Sequence, residues 1–380
     1  MSVKNVKSLN IVMAWGGTGG HVFPIKSLVE YMDKQQHFKK KIGNIYRFGS
    51  RNSLESKVCY ELESSISNVH FVPILSGKLR RETPRMAKIR NLRDFFIFMV
   101  GIVQSLIQLQ RCRIDVIFCK GGYVALPVVI AGRLLRKKII VHESDTHSGL
   151  VNKIAARFAK KTFTGFDNVL PRSETVGQIL SDDIVVHKEH KMLEDSKLHE
   201  IQRQISPQKT IVLVVGGSQG SYKLYKSLLS ILEKEPELMS NFVCILSLWV
   251  LNADLKNDFK HFPNVFVQEF FSQQEMGILC SIADIGLTRA GTTSLAEQKL
   301  YDMKLFIVPI AWTHDQYDNA KYYVSQYQDL LIDQKSSDFE KHLLQAFYEH
   351  VWFKKQQKQK DYLALVCQAK DKIATAIVAS

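Results

Sequence analysis

One pattern constrains this chain more than any other: an apolar strand running straight into a glycine-rich turn and then a helix, found twice. Residues 8–15 lead into Gly16-Gly17-Thr18-Gly19-Gly20-His21, after which Ile25, Leu28, Val29 and Met32 recur at helical spacing. Far downstream, residues 211–215 lead into Gly216-Gly217-Ser218-Gln219-Gly220, and a helix continues to about Leu232. A strand, a tight turn and a helix open a βαβ unit, whose crossover makes neighbouring strands parallel. The pattern predicts further strands at 114–119, 138–142 and 162–165 in the first half, with a helix over 125–135. In the second half it predicts strands at 242–246, 265–268, 284–287 and 305–309.

A chain of 380 residues is also too long for one ordinary core. The expected fold is α/β, with two doubly wound Rossmann-like domains facing across a cleft at their strand C-terminal ends. The polar, charged stretch 180–209 separates the halves. The expected division is an N-terminal domain over 1–176 and a C-terminal one over 177–351, with the helical, basic tail 352–380 packing back on the first.

The formal charge of +14 could be explained by an anionic partner, whether nucleic acid, an acidic membrane face or a phosphorylated substrate, or could be no more than a solvated surface with a basic excess. No nucleic-acid-binding module accompanies the charge, so no nucleic-acid partner is expected. The 6 cysteines are scattered without a CxxC pair, which argues against a zinc site or a disulfide framework and fits a reducing compartment. Residues 1–10 are polar and do not read as a signal peptide. The longest apolar run, 95–103, is about half the ~20 residues a spanning helix needs, so no membrane crossing is expected.

Contact with a membrane surface is another matter. Lys78, Arg80, Arg81, Arg85, Lys88, Arg90 and Arg93 stand against Glu82 alone, and Phe95-Phe96-Ile97-Phe98-Met99 follows at once. Basic residues beside aromatics are what an anionic bilayer attracts, at roughly 1 kcal/mol per well-placed cation. The expectation is a membrane-facing loop over 76–93, with the later part of 95–109 a core helix against the sheet.

The glycine turns carry the chemistry. A turn at a helix start presents backbone N–H groups at the positive end of the helix dipole, which suits a phosphate or another polar ligand. The first turn lacks the Gly-Lys-Ser/Thr of a Walker A loop, and Val22 sits where a Rossmann fingerprint has its third glycine. Alone it reads equally as a tight corner. His21, at the start of the helix, titrates near neutrality and could accept the proton of an attacking hydroxyl, although a lone histidine is more often structural. The second turn offers Ser218 and Gln219 as donors to a diphosphate. Arg289-Ala290-Gly291-Thr292-Thr293-Ser294-Leu295-Ala296-Glu297 opens another helix with small and hydroxyl residues. Glu297, one turn inside, could grip two ribose hydroxyls, or be an ordinary solvated acid. His142-Glu143 and residues 316–320 also follow predicted strands.

Read together, these stretches resemble the MurG-type transferases of bacterial cell-wall synthesis, a family with the two-domain GT-B fold. The matching segments are GGTGGHVFP at 16–24, SGKLRR at 76–81, KGGYVALP at 120–127 and HESDTHSGLVNK at 142–153. They continue with VVGGSQGS at 214–221, RAGTTSLAE at 289–297 and DQYDNA at 315–320. They occur in the family's order and cover most of the chain.

The resemblance implies an inverting transfer of N-acetylglucosamine from its UDP donor to the muramyl sugar of undecaprenyl-pyrophosphoryl-pentapeptide, by a peripheral protein on the cytoplasmic face of the cell membrane. It implies that Thr18, Gly19, Gly20, Asp145, Ser218, Gln219, Thr292, Thr293, Ser294, Leu295, Ala296, Glu297 and Gln316 hold the donor, with Phe271 beside uracil. Tyr123 would line the acceptor side. His21 and Glu143 are the candidate bases, His21 the favoured one. No tightly bound cofactor and no dedicated metal site is expected, a divalent ion acting at most as a stimulant.

Three positions depart from the family. Asp145 replaces a neutral amide and would repel a diphosphate unless a basic residue lies close. Ser181 stands where an arginine is usual, and a guanidinium on phosphate contributes about 1.5–3 kcal/mol. Tyr225 replaces a common asparagine. The same fold also accommodates a lipid glycosyltransferase with a diacylglycerol acceptor, a UDP-sugar epimerase, or a UDP-sugar-binding protein without turnover.

Overall fold

The computed structural model describes residues 8–379 apart from 17–18, 52–53, 78–84, 187–197, 199, 202, 204, 218–220, 312–313 and 357. The chain divides into two compact units, Met1–Ile179 with Cys367–Ser380, and Leu180–Val366.

The first unit holds β1 (Leu9–Trp15), β2 (Ile42–Gly49), β3 (Val69–Pro73), β4 (Val116–Gly121), β5 (Lys138–Glu143), β6 (Lys161–Thr164) and β7 (Glu174–Thr175), in the order β3-β2-β1-β4-β5-β6-β7. The second holds β8 (Thr210–Val215), β9 (Phe242–Ser247), β10 (Val265–Gln268), β11 (Ile285–Thr288), β12 (Lys304–Ile307) and β13 (Leu330–Leu331), in the order β10-β9-β8-β11-β12-β13. Neighbouring strands are parallel throughout. Both units are therefore doubly wound α/β domains.

Each sheet is covered on both faces, and the strand alternation shows how. Along β1, Ile11, Met13 and Trp15 join one core with the helix Gly19–Lys34, while Val12 and Ala14 join another with the helix Ala125–Leu134. Burial on both faces requires near-continuous apolar strands, and β8 is buried at every residue. The sequence reading passed over β2 and β3, because Gly43, Asn44, Arg47 and His70 interrupt their apolar pattern.

In each sheet the winding reverses beside the first strand: β1 pairs with β2 and β4, and β8 with β9 and β11. Ligands of open α/β sheets bind at such switch points, outside the strand C-termini. The turns after β1 and β4 meet at the first, and those after β8 and β11 at the second.

The tail does not return as one piece. The helix Tyr362–Val378 packs Ala369, Ile373, Ala374 and Ile377 into the first unit's core. The side chain of Lys138 donates to Ala376 O at 2.6 Å, satisfying an end-of-helix carbonyl. Residues before it are held elsewhere. Lys354 pairs with Asp284 at 3.0 Å, Lys355 Nζ donates to Cys280 O at 2.6 Å, and Lys360 pairs with Asp302 at 2.7 Å. Those lysines keep 352–366 with the second unit, against the expectation that all of 352–380 joins the first.

The basic–aromatic stretch also differs from its reading. A single helix, Arg85–Arg111, takes in Arg85 to Arg93, so they are not a loop; Lys78, Arg80 and Arg81 lie outside the described residues. Its later part is not core. Among the described side chains, from Leu92 on, only Asp94, Gly101, Ser105 and Leu109 are buried, while Leu92, Phe95, Phe96, Met99, Val100, Val103 and Ile107 are exposed. The buried stripe is narrow because backbone fills it: a Cβ at Gly101 would meet Leu75 O at 2.1 Å, and one at Gly77 would meet Asp94 O at 1.8 Å. By length and composition, Leu92–Arg111 (20 residues, mean hydropathy 1.5) is long and apolar enough to cross a bilayer. The apolar run alone does not suggest this, because Gln104 ends it after residue 103.

Candidate functional site

At the first switch point two turns press together. Gly121 and Gly122 have φ of 94° and 83°, and a Cβ on Gly122 would lie 2.1 Å from Gly16 O. Gly19, Gly20 and His21 form the first turn of the helix Gly19–Lys34, while Thr18 is outside the described residues. Tyr123, next to Gly122, is half-buried against the core beneath.

Glu143 closes β5 beside these turns, and its environment decides what it can do. It is 2 % exposed. One carboxylate oxygen accepts from Ser144 N (2.8 Å) and Asp145 N (3.0 Å), and the other from Gly149 N (2.9 Å) and Asn152 Nδ2 (2.9 Å). Two bonds to each oxygen exhaust a carboxylate's strong acceptor directions. Burial, then the Asp145 charge, hold its carboxyl above the usual range, and these hydrogen bonds pull it back. Glu143 is thus the organiser of the 144–149 loop, without a lone pair left for a substrate hydroxyl.

Beneath it lies a buried cation that the sequence reading did not single out. Lys120, 1 % exposed at the end of β4, donates to His142 Nδ1 at 3.2 Å and to Ser144 Oγ. His142 Nε2 in turn sits 3.0 Å from Gly177 O, so that nitrogen carries the proton and Nδ1 accepts. Burial pushes the Lys120 ammonium down to about 8, with Glu143 and Asp145 drawing it back up. This is the basic residue that Asp145 requires. A lysine closing the apolar run Val116-Ile117-Phe118-Cys119 was the available signal.

At the second switch point, Gly217 has φ of 75° and Gly216 N donates to the phenol of Tyr225 at 2.9 Å. That phenol also donates to Ser247 O at the end of β9, so Tyr225 fastens the turn to the neighbouring strand. Ser218 and Gln219 are outside the described residues. Beside this turn the helix Thr292–Leu300 begins after Gly291. Thr292, Leu295 and Glu297 are buried, and Thr293, Ser294 and Ala296 half-buried. Burial alone raises the Glu297 carboxyl to about 8. Gln316, in the first turn of the helix His314–Tyr327, accepts at Oε1 from Ile310 N at 2.9 Å, which holds its side chain against the loop after β12. Ser181 caps a short 3-10 turn through Asp183 N at 3.3 Å.

At the end of β10 the accessible ring is Phe270, not Phe271. Phe271 is buried, whereas Phe270 is 56 % exposed and stands edge-on to Trp249 at 5.3 Å. Among the described residues no group of His, Cys, Asp and Glu side chains could hold a metal ion.

Comparison with known proteins gives the same two halves. The model of the glycosyltransferase family 28 N-terminal domain matches residues 11–164, and that of the family 28 C-terminal domain matches 211–375. The UDP-N-acetylglucosamine–N-acetylmuramyl-(pentapeptide) pyrophosphoryl-undecaprenol N-acetylglucosamine transferase of Staphylococcus haemolyticus is 31 % identical over 83 % of this chain and 84 % of its own length. The enzyme of the same name from Staphylococcus aureus is 30 % identical over 86 % of each. Among solved structures, Acinetobacter baumannii MurG superposes with a TM-score of 0.65 at 19 % identity, covering 97 % of this chain and 99 % of that one. The UDP-GlcNAc 2-epimerase of Neisseria meningitidis gives 0.63 at 12 % identity, covering 97 % and 99 %. At such identities the structural likenesses speak for the fold alone.

Proposed function

The chain belongs to glycosyltransferase family 28, and from that membership we propose that it transfers N-acetylglucosamine from UDP-GlcNAc to N-acetylmuramyl-pentapeptide pyrophosphoryl-undecaprenol. One observation carries this reading: each unit sets a glycine turn at the switch point of its sheet, in a chain that matches transferases of that activity over 84–86 % of their length. The epimerase shares the fold, but the 30–31 % relatives are transferases.

The reaction asks for a proton acceptor and a site for a departing diphosphate. The acceptor hydroxyl oxygen bonds to C1 of the sugar while the C1–O bond to UDP breaks, UDP leaving with the electron pair. With both oxygens of Glu143 occupied, we assign the hydroxyl proton to His21, on the first turn after the β1 loop. The leaving diphosphate is met by N–H groups at the starts of the helices Tyr222–Lys234 and Thr292–Leu300, which follow adjacent strands. We assign Glu297 to the ribose, and Phe270, the exposed ring, to the base.

We also propose that the helix Arg85–Arg111 lies on an anionic bilayer, which holds the enzyme where its lipid-linked acceptor is. The exposed apolar side from Leu92 to Ile107, following Arg85, Lys88, Arg90 and Arg93, supports this. The buried stripe from Asp94 to Leu109 ties this part of the helix to the first unit, which favours a helix that rests on the membrane over one that crosses it.

The test is transfer of labelled sugar from UDP-GlcNAc with and without the lipid acceptor, for wild type and His21→Ala. Product should form only with the acceptor. His21→Ala should lose about 10²–10⁴-fold in kcat while binding donor normally. Conversion of UDP-GlcNAc without acceptor would assign an epimerase instead.

A further inference from the structure

Among the described residues, the second unit buries a positive charge with no negative charge to match it. Arg289, at the end of β11, is 5 % exposed. Nη1 donates to Val308 O at 2.9 Å, to Pro309 O at 3.3 Å and to the amide oxygen of Gln334, and Nη2 donates to Ser221 Oγ. Its Nε has no acceptor among the described residues. All these partners are neutral, and among the described residues no carboxylate pairs with it. Burial pushes the guanidinium down to about 10. An uncompensated buried cation is unfavourable unless a ligand supplies the counter-charge.

Its position says which ligand. The Cβ and Cγ of Arg289 lie 3.9 Å from where a Cβ of Gly217 would be, so the residue lines the glycine turn at the switch point. Ser221 sits at the N-cap of the helix Tyr222–Lys234, where a serine hydroxyl normally accepts from the helix's own N–H groups, yet it makes no such bond. It accepts from Arg289 instead, which leaves its O–H to be donated outward. A cation feeding a hydroxyl at a helix start, beside a glycine turn, is built for a multiply charged anion. Ser181, whose hydroxyl caps its own turn, offers no cation.

We propose that Arg289 and Ser221 form the charge-matching pair for the diphosphate of the nucleotide donor, Arg289 acting as a positioning residue through the Ser221 hydroxyl. The proposal rests on the transferase reading and deepens its donor site.

Calorimetric titration with UDP and with uridine separates the diphosphate from the base. Wild type should prefer UDP. Arg289→Met should lose roughly 10- to 100-fold in UDP affinity with uridine binding unchanged, and Arg289→Lys should recover part of the loss. Ser221→Ala, which leaves the buried cation in place and should fold in any case, should weaken UDP binding selectively too. Equal UDP affinity in wild type and Ser221→Ala, or in wild type and folded Arg289→Met, overturns the pair and leaves the transferase reading standing. A wild type that does not distinguish UDP from uridine overturns both.

Discussion

Gly122 and Gly16 are in backbone contact: a Cβ on Gly122 would stand 2.1 Å from the carbonyl oxygen of Gly16. With φ at 83°, an alanine there is strained as well as crowded, and neither backbone can yield without moving a switch-point turn. Gly122→Ala should destabilise the protein by about 2–4 kcal/mol, read as a lower urea midpoint at unchanged m. Transfer should fall further than the folded fraction, because the displaced turn leads to His21. Wild-type stability would mean the two turns are not in contact.

Glu143 invites a test that separates a base from a scaffold. If it took the acceptor proton, Glu143→Gln would lower kcat and leave stability alone. The geometry says otherwise, since four N–H donors converge on its two oxygens. A glutamine turns one oxygen into an NH₂ that faces two of those donors. Leaving buried donors unpaired costs about 1–3 kcal/mol each. Glu143→Gln should therefore lose about 2–4 kcal/mol in denaturant unfolding, and Asn152→Ala, which removes one donor, should lose less.

The doubly wound sheets were legible because buried parallel strands are apolar runs ending in glycine, as at Val214-Val215-Gly216-Gly217. The edge-side strands β2 and β3 were not, because polar residues such as Asn44 and His70 break their pattern. Motif position identified Glu143 and Glu297 but could not say that one carboxylate is saturated and the other buried without a charge partner among the described residues. That distinction lies in which backbone N–H groups converge, a tertiary property. Lys120 and Arg289 escaped for a related reason. Lysine and arginine read as surface residues until strand geometry puts them inside.

The exposed side of the helix Arg85–Arg111 should be dispensable for folding and needed for membrane contact. Phe95 and Phe96 stand T-shaped at 6.0 Å and are more than half exposed. Phe95→Ser with Phe96→Ser removes apolar area worth roughly 25 cal/mol per Å² of contact with the bilayer, without opening a cavity. Co-sedimentation with phosphatidylglycerol vesicles should drop at least about tenfold, and Tm should hold. UDP binding, in the other unit, should not change. Vesicle binding that survives this pair but fails on Arg85→Glu would place the contact in the basic residues alone.

Glu297 should make stability depend on pH in a direction opposite to an ordinary surface acid. Burial raises its folded-state value from 4.5 to about 8, so the folded protein keeps a proton that the unfolded chain releases near 4.5. Between those limits the folded state binds more protons, and stability falls as pH rises, by up to roughly 1.4 kcal/mol per pH unit from this group. Below about 4.5 the effect is absent, and above about 8 it is complete. Lys120 and Lys355, both pushed down to about 8, act above that window, where rising pH relieves their buried charge. The clean measurement is therefore the difference between wild type and Glu297→Gln across pH 5 to 8 in urea unfolding. The variant should gain on the wild type steadily over that range, because a neutral amide has no charge to bury. UDP-GlcNAc should reverse the trend in the wild type alone, as ribose hydroxyls donate to the carboxylate and favour its charged form. A difference that stays flat with pH would show Glu297 to be solvated and ionised, and would remove it from the donor site.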